Sequence, residues 1–436
     1  MSLAIPLQPP HDAQRDAGAR HRTGMAPVTA LFRTILLLAV LAVAYSCSVA
    51  AVAVAQEPLP SAATAAELTA EEMRQLQEAA AAASPAPAPL IPFGALPSAN
   101  PAMSLIFDGA LAGFSVDEPL QFGGHDPRNN GFNFQQLEMH LESAVDPYLH
   151  FLTNIVFGQE GVEVEEAFAE STALPLGLQL RAGQFLMPFG RINPTHPHSW
   201  NFVDQPLGNG KFFGSEGSRG MGALISWLVP VGWFSEVRAA SSEATGDCCA
   251  RSFAGDADWS VRSPTDLLYT MTWKNFVPFN EDWSLFLGLS AQLGPNATDN
   301  RSEIFGADVY LRYRPVADPE RRSLSLQVEH ARRSRQLTAA TLVDQAGYAQ
   351  LVAVVALRWE TAWRTEWATG LVGDPLNPEW ISQRTRHAAQ LTFYPSHFSR
   401  LRLQVSRDNP TWLPDPIWGA VLAIEVLIGE HGAHLF

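Results

Sequence analysis

The sequence predicts an all-β fold: a transmembrane antiparallel β-barrel of about sixteen strands, preceded by a short helical, Pro-rich periplasmic segment. Three observations carry this reading. Apolar and polar residues alternate with period two from Met103 to the C-terminus, the connections alternate between short and long, and aromatic residues gather at strand ends. Period-two alternation marks strands with two unlike faces. Lengths of about ten residues suit a tilted membrane strand, and aromatic girdles mark the two bilayer interfaces.

Composition narrows the alternatives. The 436-residue chain is 47% hydrophobic and 17% charged, with 24 Phe and 12 Trp. No run of about 20 apolar residues lies beyond the N-terminus, so helical spans are not expected in the body. A net charge of −15 argues against nucleic acid as a partner. A soluble sandwich or propeller is the competing fold, but no blade-length repeat is visible.

The N-terminus reads as a signal peptide over 1–55. Arg33 supplies the positive charge, Ile35 to Ala44 the apolar stretch, and Ala53-Val54-Ala55 a cleavage site before Gln56; Met25 is an alternative start. Its removal takes away Arg15, Arg20, Arg22 and Arg33 with Asp12 and Asp16, leaving the mature chain at −17. Residues 56–100 are Ala- and Pro-rich. Glu67 to Ala83 has good helix propensity and ends at the run Pro85, Pro87, Pro89, Pro92. It reads as a periplasmic linker or as an oligomerisation helix.

Residues 101–436 form the barrel domain. Leu137, Met139 and Leu141 alternate with Glu138, His140 and Glu142, and Leu401, Leu403 and Val405 with Arg400, Arg402 and Gln404. Short turns are expected near 145–147, 174–177, 230–232, 277–282, 315–321, 358–360 and 395–396. Longer connections fall near 116–131, 158–161, 188–219, 242–264, 294–302, 335–346, 370–384 and 408–416. Sixteen strands, eight outer loops and seven periplasmic turns follow, the layout of an outer-membrane barrel. Trp227, Trp233, Trp283, Tyr313, Tyr394, Trp412 and Trp418 are the expected girdle residues.

Two family resemblances follow from particular residues. Glu166-Ala167-Phe168, with Gly183-Gln184-Phe185-Leu186-Met187-Pro188-Phe189-Gly190, resembles the hallmark of phosphate-selective-porin-like proteins. The segments 104–117, 123–131, 195–217 and 266–270, with His431 to His434, are similar to myxobacterial proteins labelled zinc-regulated TonB-dependent outer membrane receptors. The first resemblance implies an outer-membrane porin, often a homotrimer, passing small hydrophilic solutes or ions. The second implies a receptor or channel linked to metal uptake. Plugged TonB-type transporters have 22 strands, whereas about sixteen are expected here, with 56–100 as the only segment before the first strand.

Candidate function lies in the lumen. Strand parity turns Glu138, His140, Glu142, Glu163, Glu165, Arg181, Asp308, Arg312, Arg314, Glu329, Arg364, Glu366, Arg400 and Arg402 inward. Acids on strands two to four would then face bases on strands ten, fourteen and fifteen, a transverse field of the kind that filters solutes. The irregular stretch 188–219 is the expected constriction. It carries Arg191, His196, His198, Asp204, Lys211, Glu216 and Arg219, with Trp200, Phe202, Phe212 and Phe213 to anchor it to the inner wall. Lumenal charge in such barrels tunes selectivity, and the net acidity leans toward cations.

No cofactor is required by these motifs, zinc being the one ion that His196 and His198 could hold. Two imidazoles fall short of the three or four ligands zinc takes, so Asp204 or His125 would have to add one. The alternative is that both histidines are hydrogen-bond partners within a Pro-stiffened loop. The adjacent Cys248-Cys249 can form a vicinal disulfide in an oxidising compartment or be a chance pair. No G-x-S-x-G, H-E-x-x-H or P-loop occurs, and no catalytic residues are expected.

Overall fold

A computed structural model describes residues 101–159, 161–172 and 174–429. The expected signal peptide, the 56–100 segment with its helix, and His431, His434 and Phe436 lie outside the described residues.

Sixteen antiparallel strands close into a barrel in which each strand pairs with its neighbours in sequence and β1 pairs with β16. They are β1 (Ala102–Phe114), β2 (Gly131–Ala144), β3 (Leu149–Phe157), β4 (Val162–Ser171), β5 (Leu178–Leu186), β6 (Arg219–Leu228), β7 (Phe234–Ser242) and β8 (Leu268–Pro278). The second half comprises β9 (Trp283–Pro295), β10 (Arg301–Tyr313), β11 (Ser323–Gln336), β12 (Thr341–Ala356), β13 (Trp359–Ala368), β14 (Arg384–Ser396), β15 (Ser399–Pro410) and β16 (Ile417–Gly429). Closure leaves no edge, so every backbone group of the ladder can be paired within lipid. The expected short and long connections match the gaps between these strands to within a few residues; the largest departures are 395–396, which is the end of β14, and 335–346, of which only 337–340 lies outside β11 and β12.

The faces are inverted relative to a soluble protein. On β8, Met271 and Trp273 are about half exposed while Thr270 and Thr272 are buried; on β15, Leu401 faces out while Arg400 and Arg402 are buried. A surface belt of Leu, Ile, Phe and Trp around a wall of Arg, Glu, Gln and Thr makes sense only with lipid outside. Trp227, Trp233, Trp283 and Trp418 stand exposed in the expected girdles, and Tyr313 packs on Trp283 with ring centroids 4.9 Å apart. Two of the expected girdle residues turn inward. Trp412 packs against the buried Trp380 of an outer loop, at 5.6 Å between centroids, and Tyr394 lies beside Arg400 and Glu360.

Strand parity fails on β4. The β3–β4 ladder pairs Asn154 with Glu166 and Ile155 with Val164, so one residue is inserted. A bulge of this kind turns consecutive side chains to one face. Glu165 and Glu166 are both buried inward, while Glu163, paired in the ladder with the buried Val156, lies half exposed near the outer rim and is ion-paired with Arg219. Opposite the bulge, Gly183 has φ +137°, and a Cβ there would collide with the Ala167 carbonyl and Phe168. Glycine permits this approach, which accounts for the first residue of the Gly183–Gly190 motif.

The lipid-facing assignment makes a prediction. Leu289, exposed at the middle of β9, should tolerate charge poorly: Leu289→Arg is expected to lower barrel stability by about 2–4 kcal/mol. Urea titration in lipid vesicles measures this, and a change near zero would place Leu289 away from the bilayer core.

Candidate functional site

The connection from β5 to β6, residues 187–218, does not extend outward. It folds into the barrel and touches opposite walls. Its helix α1 (Leu207–Phe213) was not legible in a stretch expected to be irregular, because Gly208 and Gly210 interrupt a seven-residue span. Glycine is a poor helix former, and packing of Leu207, Phe212 and Phe213 into a buried cluster overrides that preference.

The path begins at Pro188-Phe189-Gly190. The Gly190 amide donates to Ser290 Oγ at 3.0 Å, Lys274 Nζ donates to the Gly190 carbonyl at 2.9 Å, and Thr272 donates to the Pro188 carbonyl. The amides of Arg191 and Ile192 donate to the Glu329 carboxylate at 3.0 and 2.9 Å. The Arg191 guanidinium lies 3.9 Å from the Tyr310 ring centroid, a cation–π contact. These anchors lie on β8 to β11.

The chain then crosses to β2–β4. The two nitrogens of His196 face Glu165 Oε2 at 3.0 Å and Glu166 Oε2 at 2.8 Å, and His198 Nδ1 faces Glu138 Oε2 at 2.9 Å. The two rings stack nearly parallel at 5.7 Å. Burial opposes charge on His196, but Glu138, Glu165 and Glu166 outweigh it and hold the imidazole well above its ordinary range. Glu142 lies one step nearer the periplasm, 3.8 Å from His140 and His150, and Arg181 pairs with Glu170 at 2.7 Å. Neither of them reaches the loop through these contacts.

From Trp200 onward the loop lies against β12–β15. Phe202 is buried among Val352, Ala362 and Ala388, with the Arg364 guanidinium 4.4 Å from its ring centroid. Arg400 and Arg402 donate to the Trp200 carbonyl at 3.1 and 3.4 Å. Asp204 is fully buried. It accepts from Arg364 Nη2 at 2.5 Å and Gln404 Nε2 at 3.0 Å, and Arg386 Nη1 lies 3.1 Å away. Glu366 lies 2.8 Å from both Arg364 and Arg386, and also accepts from the Leu207 amide at 2.7 Å. Burial raises the cost of a charged Asp204, and the two arginines reverse it, so its carboxyl sits below the usual range. On α1, Lys211 meets Asp344 at 2.6 Å; burial still pulls its ammonium below the ordinary lysine range.

The expected transverse field is therefore altered. The bases are on β11 and β13–β15, and most are partnered. Arg333 pairs with Asp344 and Asp374, Arg384 with Asp408, and Arg400 with Glu425 at 2.6 Å, while Arg402 lies 3.5 Å from Glu425. Arg333, Arg335, Arg384, Arg386, Asp344 and Asp408 were not singled out from the sequence. Their signal was there: Arg333/Arg335 and Arg384/Arg386 are i, i+2 pairs on one strand face. Arg312 lies at the periplasmic end of β10 and Arg314 just beyond it.

At the outer end, Glu216 and Arg219 are held by the fourth outer loop. Cys248 and Cys249 form a disulfide, and their carbonyls accept from the Glu216 amide at 2.9 Å and the Arg219 amide at 3.2 Å. Glu216 Oε2 and Glu165 Oε1 lie 3.0 and 3.1 Å from His125 Nε2. Burial opposes charge on His125, but these carboxylates hold its imidazole well above the ordinary range. Next to it, burial and the nearby Asp204 push the Asp126 carboxyl up to about 6. A polar cavity of about 470 Å³, lined by His125, Asp126, Arg128, Asn133, Glu163 and Glu216, adjoins this cluster.

No family model matches the chain. A protein of Aquifex aeolicus described as uncharacterised is 28% identical, with 77% of this chain and 80% of that protein covered. Among solved structures, Pseudomonas putida OprB is similar with a TM-score of 0.51 at 10% identity, covering 76% of this chain and 94% of OprB. An anion-selective porin from Comamonas acidovorans gives 0.47 at 12% identity over 76% and 99%. At such identities the likeness to OprB is one of fold. The closed sixteen-strand barrel that the chain shares with OprB, with its apolar belt, is the architecture of a bacterial outer-membrane β-barrel.

The Asp204 network makes a prediction. Asp204→Asn removes a charge that two buried guanidiniums share, and breaking such a pair costs about 3–5 kcal/mol. The variant should release the loop, so trypsin should cut after Lys211 in the folded, detergent-solubilised variant and spare the parent. Equal protection in both would show that Asp204 does not secure the loop.

Proposed function

We propose that the chain is an outer-membrane channel for small hydrophilic solutes or ions, with the 187–218 loop as its constriction and a preference for cations. The observation that supports it best is the span of the loop's anchors. Its contacts include Glu165 and Glu166 on β4 and Asp344 on β12. These strands are eight apart in a ring of sixteen and so face one another across the lumen. Whatever passes must pass beside this segment.

The cation preference rests on the net acidity of the chain and on how its lumenal bases are partnered. The guanidiniums of Arg364, Arg384, Arg386 and Arg400 each lie within 3.1 Å of a carboxylate oxygen, so their fields are largely cancelled at a distance. The polar outer cavity carries three carboxylates, Asp126, Glu163 and Glu216, against Arg128 and His125, with Glu163 shared with Arg219 at its edge, and the chain as a whole is acidic, at −15. Focused negative potential at an entrance concentrates cations. A phosphate preference would need open guanidinium forks, and those of Arg364, Arg384, Arg386 and Arg400 already hold carboxylates. The reading includes assembly as a homotrimer, as in many porins.

Planar-bilayer recording under a salt gradient tests this. The folded protein should show small, steady unitary steps and a reversal potential on the cation side. The paired substitution Glu163→Gln, Glu216→Gln should move the reversal toward zero. An anion-side reversal, or silence from a demonstrably folded barrel, would overturn the proposal and favour a non-conducting structural barrel.

A further inference from the structure

Three side chains from three segments converge at the floor of the outer cavity. His125 comes from the loop after β1, Glu165 from the bulge in β4, and Glu216 from the end of the constriction loop. One ligand atom from each can be chosen so that all lie within 4.8 Å of one another. All three side chains are largely buried, at 14, 7 and 11% exposure. His125 Nε2 points between the two carboxylates, at 3.1 Å from Glu165 and 3.0 Å from Glu216. A tetrahedral ion with bonds of 2.0–2.1 Å separates its ligand atoms by about 3.3 Å, so the two imidazole–carboxylate spacings need only a few tenths of an ångström of adjustment, and the carboxylates turn about the histidine to close on the ion.

We propose that His125, Glu165 and Glu216 form a binding site for one first-row divalent metal ion of the zinc class. The donor set decides the class. An imidazole nitrogen disfavours magnesium and calcium, which take oxygen ligands, and suits zinc, cobalt or nickel. A neutral imidazole with two carboxylates carries −2, which a dication balances, whereas a single proton on Nε2 leaves one carboxylate uncompensated. The fourth position opens toward the cavity and takes water or a passing solute, as in three-ligand zinc sites.

The surroundings hold the three ligands in place. The other ring nitrogen of His125 faces the Gln135 carbonyl at 3.5 Å, and the Gln135 amide donates to the His125 carbonyl at 2.7 Å. A carbonyl behind the ring orients a metal-binding imidazole. The second oxygen of Glu165 is held by His196 Nδ1 at 3.0 Å. Glu216 is placed by its amide bond to the Cys248 carbonyl, and the Gly124 amide donates to the Ser215 carbonyl at 3.0 Å. A side chain at Gly124 would occupy the space of the Glu216 carboxylate, which explains a glycine just before His125. His196 and His198, the histidines the sequence put forward, stand behind this site, with His196 fixing one of its ligands.

The site does not depend on conduction, because binding is read on the detergent-solubilised full chain. After chelator treatment, Co(II) is titrated and its visible ligand-field absorption recorded, then Zn(II) is used to displace it. One Co(II) per chain with the intense bands of a tetrahedral site is expected. His125→Ala and Glu216→Gln should each weaken binding at least about tenfold, while His150→Ala, at the periplasmic end of β3, should leave it unchanged. Glu216→Gln is near-isosteric, and heat-modifiable gel migration confirms that each variant remains a barrel. No saturable binding to the folded parent, or binding unaltered in both variants, would overturn the proposal and leave a protonated His125 between two carboxylates.

Discussion

Two buried guanidiniums, Arg364 and Arg386, share the carboxylates of Asp204 and Glu366. This arrangement governs the interior. The wall supplies both bases and only one of the acids, so the other must be brought in by the loop. Removing one partner of a buried pair costs several kcal/mol, so the inward position of the loop has a strong electrostatic reason. The same logic recurs where Lys211 meets Asp344 and where His196 and His198 meet the acids of β2 and β4. The loop complements the wall with acids where the wall is basic and with bases where it is acidic.

That complementarity depends on the barrel being closed. A polar inner face can persist only because the ring shields it from lipid and satisfies its own backbone. With the ring fixed, the bulge on β4 becomes decisive. It turns Glu165 and Glu166 inward together, and these two carboxylates serve different partners: Glu166 faces His196, while Glu165 bridges His196 and His125. One inserted residue thus joins the inward-folded loop to the outer cavity. The disulfide loop does similar work at Glu216 through backbone bonds alone.

Much of the architecture was legible in the sequence, since period two and alternating connection lengths follow directly from a sheet between lipid and water. The strand count and the inward loop with Phe202 and Phe213 as anchors came from those signals. What was not legible depended on local geometry. The β4 bulge breaks parity, so Glu166 was not counted as lumenal. The helix α1 hides behind two glycines. Trp412 and Tyr394 look like girdle aromatics, but Trp412 packs within an outer loop and Tyr394 turns from β14 toward Arg400 and Glu360. His125 was only a supporting candidate, because its meeting with Glu165 and Glu216 requires three segments far apart in sequence.

The central claim is that the 187–218 loop sets the bore. Leu186 and Arg219 are partners in the β5–β6 ladder, so the loop can be excised and its ends joined by a tight turn without disturbing the ring. Single-channel conductance of that excised barrel beside the parent is the direct measurement. A several-fold larger conductance with weakened ion preference is the predicted result. An unchanged conductance from a folded barrel would mean that the passage, if any, is set elsewhere.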